Sequence, residues 1–423
     1  MLMLFTQGKT QCTPKEIGYN AERLDILNNH LQKAIDDKKI QCATYCISRK
    51  GKIFAHGAVG KKYYQKNYDA PVLPDSVRYI ASITKVFAAV AIMKLVDDGI
   101  TRLDIPVGEI LPQFKTPPYD QINLFHLLTH TSGMHADGNC YDNKYQTNYW
   151  GMIENAHKLH NPKKDGEFDW ITAALSTIGS GLRTKPGTEW AYCSFGFVIL
   201  GAVIEKLTGV HAHKYIEDNI CKPLKMKDTY FDLTPDMAKR YIITCKDDEK
   251  YVNSIITGKY KPEWIGEKLN IPGTGGGLSS TAYDLSLFGN MALYGGTFNK
   301  ARIISRKAIE KMTDFSISNV PDYCWGGNTP DRGFGIGFDM RNGPQFIFSK
   351  GTFLHEGAGA CSLYIDPKEE LVAAWIVPFI NDEWNSCCLF NVANGVHNKV
   401  LVFVYYCEYN KIKLASKGSS SLL

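Results

Sequence analysis

Strand-like segments lie near both ends of this 423-residue chain, and a long, mostly helical stretch at about 120–220 separates them. Two segments, 43–49 and 52–58, are joined by Lys50-Gly51, which is typical of a tight turn. The later strand-like segments are 334–339, 346–349, 362–365 and 371–377. The pattern predicts an α+β fold, in which an antiparallel sheet flanked by helices is built from both termini and a mostly helical second domain is inserted.

Apolar spacing predicts one helix at 20–38 and an amphipathic helix at 82–98 that ends at Gly99. We therefore expect one domain with the central sheet, one mostly helical domain and a flexible tail. The domain with the sheet is predicted to comprise 1–80 and 275–410. The helical domain is predicted at 81–274 and the tail at 411–423.

Composition excludes several classes of protein. Hydrophobic residues make up 44% and charged residues 22%, as in soluble globular proteins, which argues against a disordered or fibrous chain. The net charge is only +5 and the basic residues are scattered, so we expect no nucleic-acid partner. No apolar run approaches the ~18 residues of a membrane span.

The twelve cysteines are dispersed without a C-x-x-C pair, and the first residues do not resemble a secretory signal. Buried thiols in a reducing compartment are therefore expected, and the predicted location is cytoplasmic. Oligomeric state cannot be inferred from these features.

Ser82-Ile83-Thr84-Lys85 is the first candidate for chemistry. Helical positions three apart share a face, so the Lys85 amine is expected beside the Ser82 hydroxyl. If Ser82 opens the helix, its N–H points into the positive end of the macrodipole, where an oxyanion is stabilised. Apolar surroundings disfavour the ammonium form of Lys85 and favour a base. The alternative is an ordinary helix start, because S-x-x-K is common by chance.

Two further motifs follow. Tyr192-Cys193-Ser194 precedes an apolar helical run, where a tyrosine is usually part of the core. Beside a lysine cation, however, a phenol ionises more readily and can act as a general base. The segment 355–359 (His-Glu-Gly-Ala-Gly) has small residues that let the backbone approach a ligand and offer N–H groups.

In order and spacing these three motifs resemble the serine β-lactamase and penicillin-binding protein superfamily. The similar branch contains class C β-lactamases, D,D-peptidases, D-amino-acid peptidases and family VIII carboxylesterases. The resemblance runs from about 15 to 396 and includes 126–133, 185–192, 201–209, 275–280 and 362–367. It implies the β-lactamase/transpeptidase-like fold.

The resemblance also implies roles for three catalytic residues. Ser82 would be the acylated nucleophile and Lys85 its hydrogen-bonded activator. Tyr192 would be the general base for acylation and for the incoming water. No cofactor and no metal are implied.

Substrate contacts follow from the same resemblance. Ser194 would contact substrate through its side chain, while His355 and Gly357 would line the edge strand of the pocket. The backbone N–H groups of Ser82 and Ala358 would form the oxyanion hole.

Two departures from the family pattern concern the substrate. Many relatives have Asn at the position of Ser194, and the β-lactamases usually have Lys-Thr-Gly where this chain has His355-Glu356-Gly357. A histidine is only partly charged near neutral pH, so it pairs poorly with an antibiotic carboxylate. These departures favour esters, amides or peptides over β-lactams.

Other features have simpler interpretations. His126 and His130 have metal-ligand spacing but no partnering carboxylate pattern. The glycines at 273–277 lack the rest of a phosphate loop, so we predict close backbone packing near the pocket. The polar stretch 135–170 is either a lid over the cleft or a solvated insertion, and 398–410 either extends the sheet edge or meets a partner chain.

The sequence thus predicts a metal-free serine hydrolase that forms an acyl-enzyme at Ser82 and cleaves carboxylic esters or small amides and peptides. The alternatives are a penicillin-binding D,D-peptidase, a weak β-lactamase, or a non-catalytic scaffold or ligand sensor with the same fold.

Overall fold

The computed structural model describes residues 5–65, 69–137, 148–176, 181–314, 317, 332–341, 347–359, 361–378 and 380. The predictions for the segment 398–410 and for the tail 411–423 lie outside the described residues.

Twelve strands are described, and eight of them form one antiparallel sheet in the order β1-β3-β2-β12-β11-β10-β9-β8. The bounds are β1 (Thr6–Gln7), β2 (Cys42–Arg49), β3 (Lys52–Gly60), β4 (Arg78–Tyr79), β5 (Ser279–Ser280), β6 (Thr297–Phe298), β7 (Ala301–Arg302), β8 (Arg332–Phe334), β9 (Asp339–Arg341), β10 (Phe353–Gly357), β11 (Cys361–Asp366) and β12 (Leu371–Ile376). The strands β4 and β5 pair with each other, as do β6 and β7.

Thirteen α-helices are described. They are α1 (Glu22–Asp36), α2 (Thr84–Asp97), α3 (Leu124–Leu128), α4 (Tyr149–Leu159), α5 (Pro162–Asp165), α6 (Trp170–Leu175), α7 (Ser194–Thr208), α8 (Ala212–Ile216), α9 (Pro235–Lys239), α10 (Lys246–Ile256), α11 (Ile265–Lys268), α12 (Ala282–Leu293) and α13 (Arg306–Met312). Most of them lie between β4 and β5 along the chain.

The pairing of β2 with β12 joins the two ends of the chain. Thr44 lies opposite Ile376, and Arg49 lies opposite Leu371. The turn between β2 and β3 has positive φ at Lys50 (50°) and Gly51 (72°), which suits a two-residue hairpin. The predicted antiparallel sheet built from both termini is confirmed, whereas the exact domain bounds stay a prediction.

The central strands are buried on both faces. Alternate residues of a strand point to opposite sides, so Ala373 and Trp375 of β12 pack into a core with α1. Val372 and Ala374 pack into the larger core with α2, α7 and α12. The sheet therefore forms the middle layer, with helices on both sides.

The prediction of an amphipathic helix at 82–98 is wrong in character, although its end is correct. A 3₁₀ turn (Ala81–Ile83) precedes α2, and α2 is buried nearly all round. A helix that is apolar on all sides is a core helix. It ends just before Gly99, whose φ is 74°.

Two predicted strands are also wrong. Residues 334–339 span the end of β8, the connection to β9 and its first residue, because Gly335 and Gly337 shape a turn there, with Gly337 at φ 78°. Residues 347–349 are not a strand, and Phe346 lies outside the described residues.

Within the part of the chain that the structure covers, no single helix is long and apolar enough to cross a membrane. By length and composition alone, the pair Ser194–Thr208 and Ala212–Cys221, bent by 80°, passes the same test.

The contact of α12 with the sheet yields a stability prediction. A Cβ at Gly289 would lie 2.5 Å from Val372 Cγ1, whereas one at Gly196 of α7 would lie 3.5 Å from Leu127 Cδ2, an ordinary contact. Gly289→Ala is expected to lower the free energy of unfolding by about 1–3 kcal/mol, since α12 must move off β12. Gly196→Ala, the matched helical control, should be neutral or stabilising. Urea midpoints measure both, and equal midpoints would contradict the packing argument.

Candidate active site

Ser82 lies in the 3₁₀ turn that leads into α2, so it precedes the helix by two residues and does not open it. Its side chain is half-buried. The preceding residue, Ala81, has a φ of 46°, an uncommon value for a residue with a Cβ. Such local strain persists only where the surrounding structure holds it. The glycine-rich segment 273–277 and the strand β10 both contact this turn.

Lys85 is fully buried in the first turn of α2. Its Nζ donates a hydrogen bond to Ser82 Oγ at 3.1 Å and another to the carbonyl oxygen of Gly275 at 2.6 Å. The Nζ also lies 4.8 Å from the centre of the Tyr192 ring and 5.9 Å from that of Phe197. The Lys85 amine therefore lies between the Ser82 hydroxyl and the ring of Tyr192, and the structure brings these three residues together.

The glycine-rich segment at 273–277 supplies the carbonyl for Lys85. A Cβ at Gly275 would lie 2.8 Å from Ser194 O, so the backbone passes too close to α7 for any side chain. Thr274 Oγ1 donates to the carbonyl oxygen of Phe197 at 2.6 Å, which fixes the segment to α7. The predicted close backbone packing near the pocket is confirmed.

His213 anchors the same segment from the other side. Its Nε2 accepts a hydrogen bond from the N–H of Gly273 at 2.7 Å, and its ring stacks on Phe231 with centres 3.8 Å apart. Burial and the neighbouring His211 lower the pKa of His213 to about 3, so the ring stays neutral and keeps this acceptor. Sequence analysis missed His213, because nothing local links it to a segment 60 residues away.

Tyr192 is buried among aromatic rings. The ring of His130 packs against it with centres 4.3 Å apart, and His130 Nδ1 accepts a hydrogen bond from the N–H of Cys193 at 3.1 Å. His126 instead bonds to the backbone of Asn123 at the start of α3. The two histidines therefore have separate partners and separate structural tasks.

Asp137 is a site residue that sequence analysis missed. Its carboxylate accepts hydrogen bonds from the N–H of Ser194 at 2.7 Å and from Ser194 Oγ at 2.5 Å. Its own N–H donates to the carbonyl oxygen of Tyr192 at 2.9 Å. Asp137 therefore holds the segment 192–194 at both ends, and its position four residues after the 126–133 motif was the only signal in the sequence.

The third motif lies on β10 beside the Ser82 turn. A Cβ at Gly357 would lie 2.2 Å from Ile80 O and 3.4 Å from Ala81 Cβ, so only glycine allows this approach. The pairing of β10 with β9 covers Phe353 and Leu354, and β11 pairs along the whole of β10. Ala358, which is exposed, directly follows this contact.

His355 is 4% exposed, and its ring centre lies 6.4 Å from that of Tyr192. Its Nδ1 is 2.8 Å from the carbonyl oxygen of Glu356. Burial and the charge of Lys85 lower the pKa of His355 to about 4, while Asp339 and Glu356 oppose this effect. His355 is therefore neutral near pH 7.

The polar stretch 135–170 packs beside the site through aromatic residues. Tyr149 stacks on Phe195 with ring centres 4.6 Å apart, and Trp150 and Trp170 meet the same ring edge-on. Tyr149 Oη also accepts a hydrogen bond from the N–H of His135 at 3.0 Å. An open cleft of about 550 Å³ lies between α4 and α6. Residues 138–147 of this stretch lie outside the described residues, so the choice between a lid and a solvated insertion stays open.

The neutral state of His355 predicts a pH dependence of stability. Its folded pKa of about 4 lies below the ordinary 6.5, so the unfolded chain binds more protons between these values. Stability is therefore lost as pH falls from about 6.5 towards 4, by about 3 kcal/mol from this group. His355→Gln should reduce the fall in urea midpoint over this range. A variant that loses stability as steeply as the wild type would contradict the assignment.

Comparison with known proteins identifies the family of the chain. The β-lactamase family profile matches residues 27–377. A protein of Salmonella heidelberg (strain SL476) with the provisional name D-alanyl-D-alanine carboxypeptidase is 25% identical over 390 residues, which cover 85% of this chain and 83% of that protein.

Two solved structures share the fold. The octameric penicillin-binding protein homologue from Pyrococcus abyssi has a TM-score of 0.63 at 24% identity, covering 86% of this chain and 75% of its own. A family VIII carboxylesterase has a TM-score of 0.66 at 17% identity, and the match covers 92% of this chain and 100% of the carboxylesterase chain. The predicted family and fold are confirmed: the chain belongs to the β-lactamase family of serine hydrolases.

Proposed function

We propose that the protein hydrolyses carboxylic esters or small amides, including short peptides, through an acyl-enzyme on Ser82. The observation that carries this proposal is the hydrogen bond of 3.1 Å between Lys85 Nζ and Ser82 Oγ. Lys85 is fully buried and its second hydrogen bond, to Gly275 O, fixes the amine beside the hydroxyl. A nucleophile next to a held basic group is the arrangement that covalent catalysis requires.

In the acylation step, Ser82 Oγ attacks the carbonyl carbon of the substrate. Its proton passes to Tyr192 as general base, with Lys85 as the hydrogen-bonded activator. The backbone N–H groups of Ser82 and Ala358 stabilise the negative oxygen of the tetrahedral intermediate. The bond to the leaving group then breaks, and the alcohol or amine departs with the proton.

In the deacylation step, water attacks the acyl carbon. Tyr192 takes a proton from this water, and the bond to Ser82 Oγ breaks. Ser82 recovers its proton and the carboxylic acid is released. Each step uses the same residues, so one held arrangement serves both.

The third motif supports esters and amides over β-lactam antibiotics. His355 stands where β-lactamases carry a lysine, and its pKa of about 4 leaves it neutral at pH 7. A neutral ring provides no cation for an antibiotic carboxylate. A D,D-peptidase or a weak β-lactamase is the alternative within the family.

A catalytic test uses Lys85→Met, whose unbranched side chain reaches as far as Cε but carries no amine. We expect kcat/KM for p-nitrophenyl butyrate to fall about 10³-fold or more, about 4 kcal/mol, because the nucleophile loses its activator. Lys94→Met, on the same helix but in a salt bridge with Asp98, is the matched control and should keep wild-type activity. Activity of Lys85→Met close to that of the wild type would remove Lys85 from the mechanism.

Labelling with a fluorophosphonate probe separates the enzyme from a non-catalytic scaffold. The intact mass of the folded protein should rise by one adduct, which peptide mapping should locate at Ser82 and which Ser82→Ala should lose. Substrate class is decided by rates with nitrocefin and with p-nitrophenyl butyrate. Fast turnover of nitrocefin without ester cleavage would reject the preferred function in favour of a β-lactamase.

We also propose a reducing, cytoplasmic setting. The seven cysteines in the described part of the chain are free, and five of them are buried, which supports this location.

A further inference from the structure

We infer that the site selects substrates whose acyl part carries a hydrogen-bond donor, above all an ammonium group, through Asp137 and Ser194. This inference rests on the proposed function. It concerns the chemical class of the substrate and a residue, Asp137, outside the three motifs.

The contacts of Ser194 set the polarity of this part of the site. The proton of Ser194 Oγ is donated to the Asp137 carboxylate at 2.5 Å, and the N–H of Ser194 is donated to the same carboxylate at 2.7 Å. Both side chains are half-buried, so part of each remains accessible. With its one proton used, the hydroxyl presents only lone pairs to a substrate.

This polarity is the reverse of that of an asparagine. A side-chain amide at the position of Ser194 would offer N–H donors to a substrate carbonyl. The pair formed by Asp137 and Ser194 offers only acceptors. A substrate carbonyl placed here would meet oxygen lone pairs, whereas an N–H or ammonium group would find partners for its protons. A site built to bind a hydrogen-bond donor discriminates against ligands that lack it.

The third motif has the same polarity. The Glu356 carbonyl oxygen can only accept, so the proton of the neutral His355 ring lies on Nδ1 and leaves Nε2 as an acceptor. This Nε2 is buried and has no hydrogen-bond partner among the described residues. The charged groups that act on His355 are Lys85, Asp339 and Glu356, of which two are carboxylates.

These observations disfavour a substrate carboxylate and favour a cation. Glu356 does not add to this effect, because its Oε1 accepts a hydrogen bond from Tyr364 Oη at 2.7 Å and Tyr364 belongs to the core on the α1 side of the sheet. Alternate residues of β10 point to opposite faces, so His355 lies on the side of Tyr192 and Glu356 on the other. A carboxylate brought to this site meets the fixed negative charge of Asp137, and an ammonium group is attracted by it.

The test compares three p-nitrobenzyl esters at pH 7: those of alanine, N-acetylalanine and N-succinylalanine, each as both enantiomers. The alanine ester carries an ammonium, the acetyl ester is neutral and the succinyl ester adds a carboxylate. We expect kcat/KM to be at least tenfold higher for the alanine ester than for the acetyl ester, with the succinyl ester lowest. Equal values for the alanine and acetyl esters would overturn the inference while leaving the hydrolase intact.

Asp137→Asn tests the residue itself. The ratio of kcat/KM between the alanine and acetyl esters should fall towards one, because the amide carries no charge and no longer requires the proton of Ser194. The readout is a ratio, so a general loss of activity does not affect it. A ratio that stays at the wild-type value would show that Asp137 only caps α7, and would overturn the inference.

Asp169→Asn is the matched control. Asp169 caps α6 through the N–H groups of Ile171 and Thr172, as Asp137 caps α7, but it does not contact the 192–194 segment. The ratio should keep its wild-type value in this variant. Absence of any Ser82-dependent hydrolysis, of p-nitrophenyl butyrate as well as of the three esters, would instead overturn the proposed function and the inference with it.

Discussion

The site depends on a lysine amine that is enclosed in the core. α2 is buried nearly all round, and Lys85 is as buried as its neighbours Val86 and Phe87. Burying an amine without partners is costly, so the fold must deliver acceptors to it. Ser82 Oγ is local, but Gly275 O comes from 190 residues along the chain. The connection between α2 and the glycine-rich segment is therefore a condition of stability as well as of chemistry.

Close backbone approach meets this condition. Gly275 lies against Ser194 and Gly357 lies against Ile80, in both cases at distances that leave no space for a Cβ. The Ser82 turn is thus confined between β10 and the glycine-rich segment. This confinement explains how Ala81 can hold a φ of 46° directly before Ser82.

Features that depend on local sequence could be predicted. The β2–β3 hairpin follows from Lys50-Gly51, and β11 and β12 follow from short apolar runs. The character of α2 was mispredicted because helical periodicity was assumed where burial is nearly complete. Segment 334–339 was mispredicted as a strand because apolar residues alternate with glycines that form a turn.

The site could be predicted only as far as its motifs extend. The pairing of Ser82 with Lys85 follows from helical spacing, although a 3₁₀ turn begins it. Asp137 and His213 act on segments 57 and 60 residues away, and no periodic pattern marks such contacts. Tertiary packing decides which polar groups meet at these two contacts, and local sequence patterns do not encode it.

The changes at the second and third motifs form one physical argument. Ser194 replaces an amide donor and is bonded to a carboxylate, and His355 replaces a cation and is held neutral by burial and by Lys85. Together they move the site in the same direction, from donors and positive charge to acceptors and negative charge. Because Lys85 stays enclosed by Ser82 and Gly275, this reversal changes which substrate is recognised and leaves the nucleophile's own contacts in place.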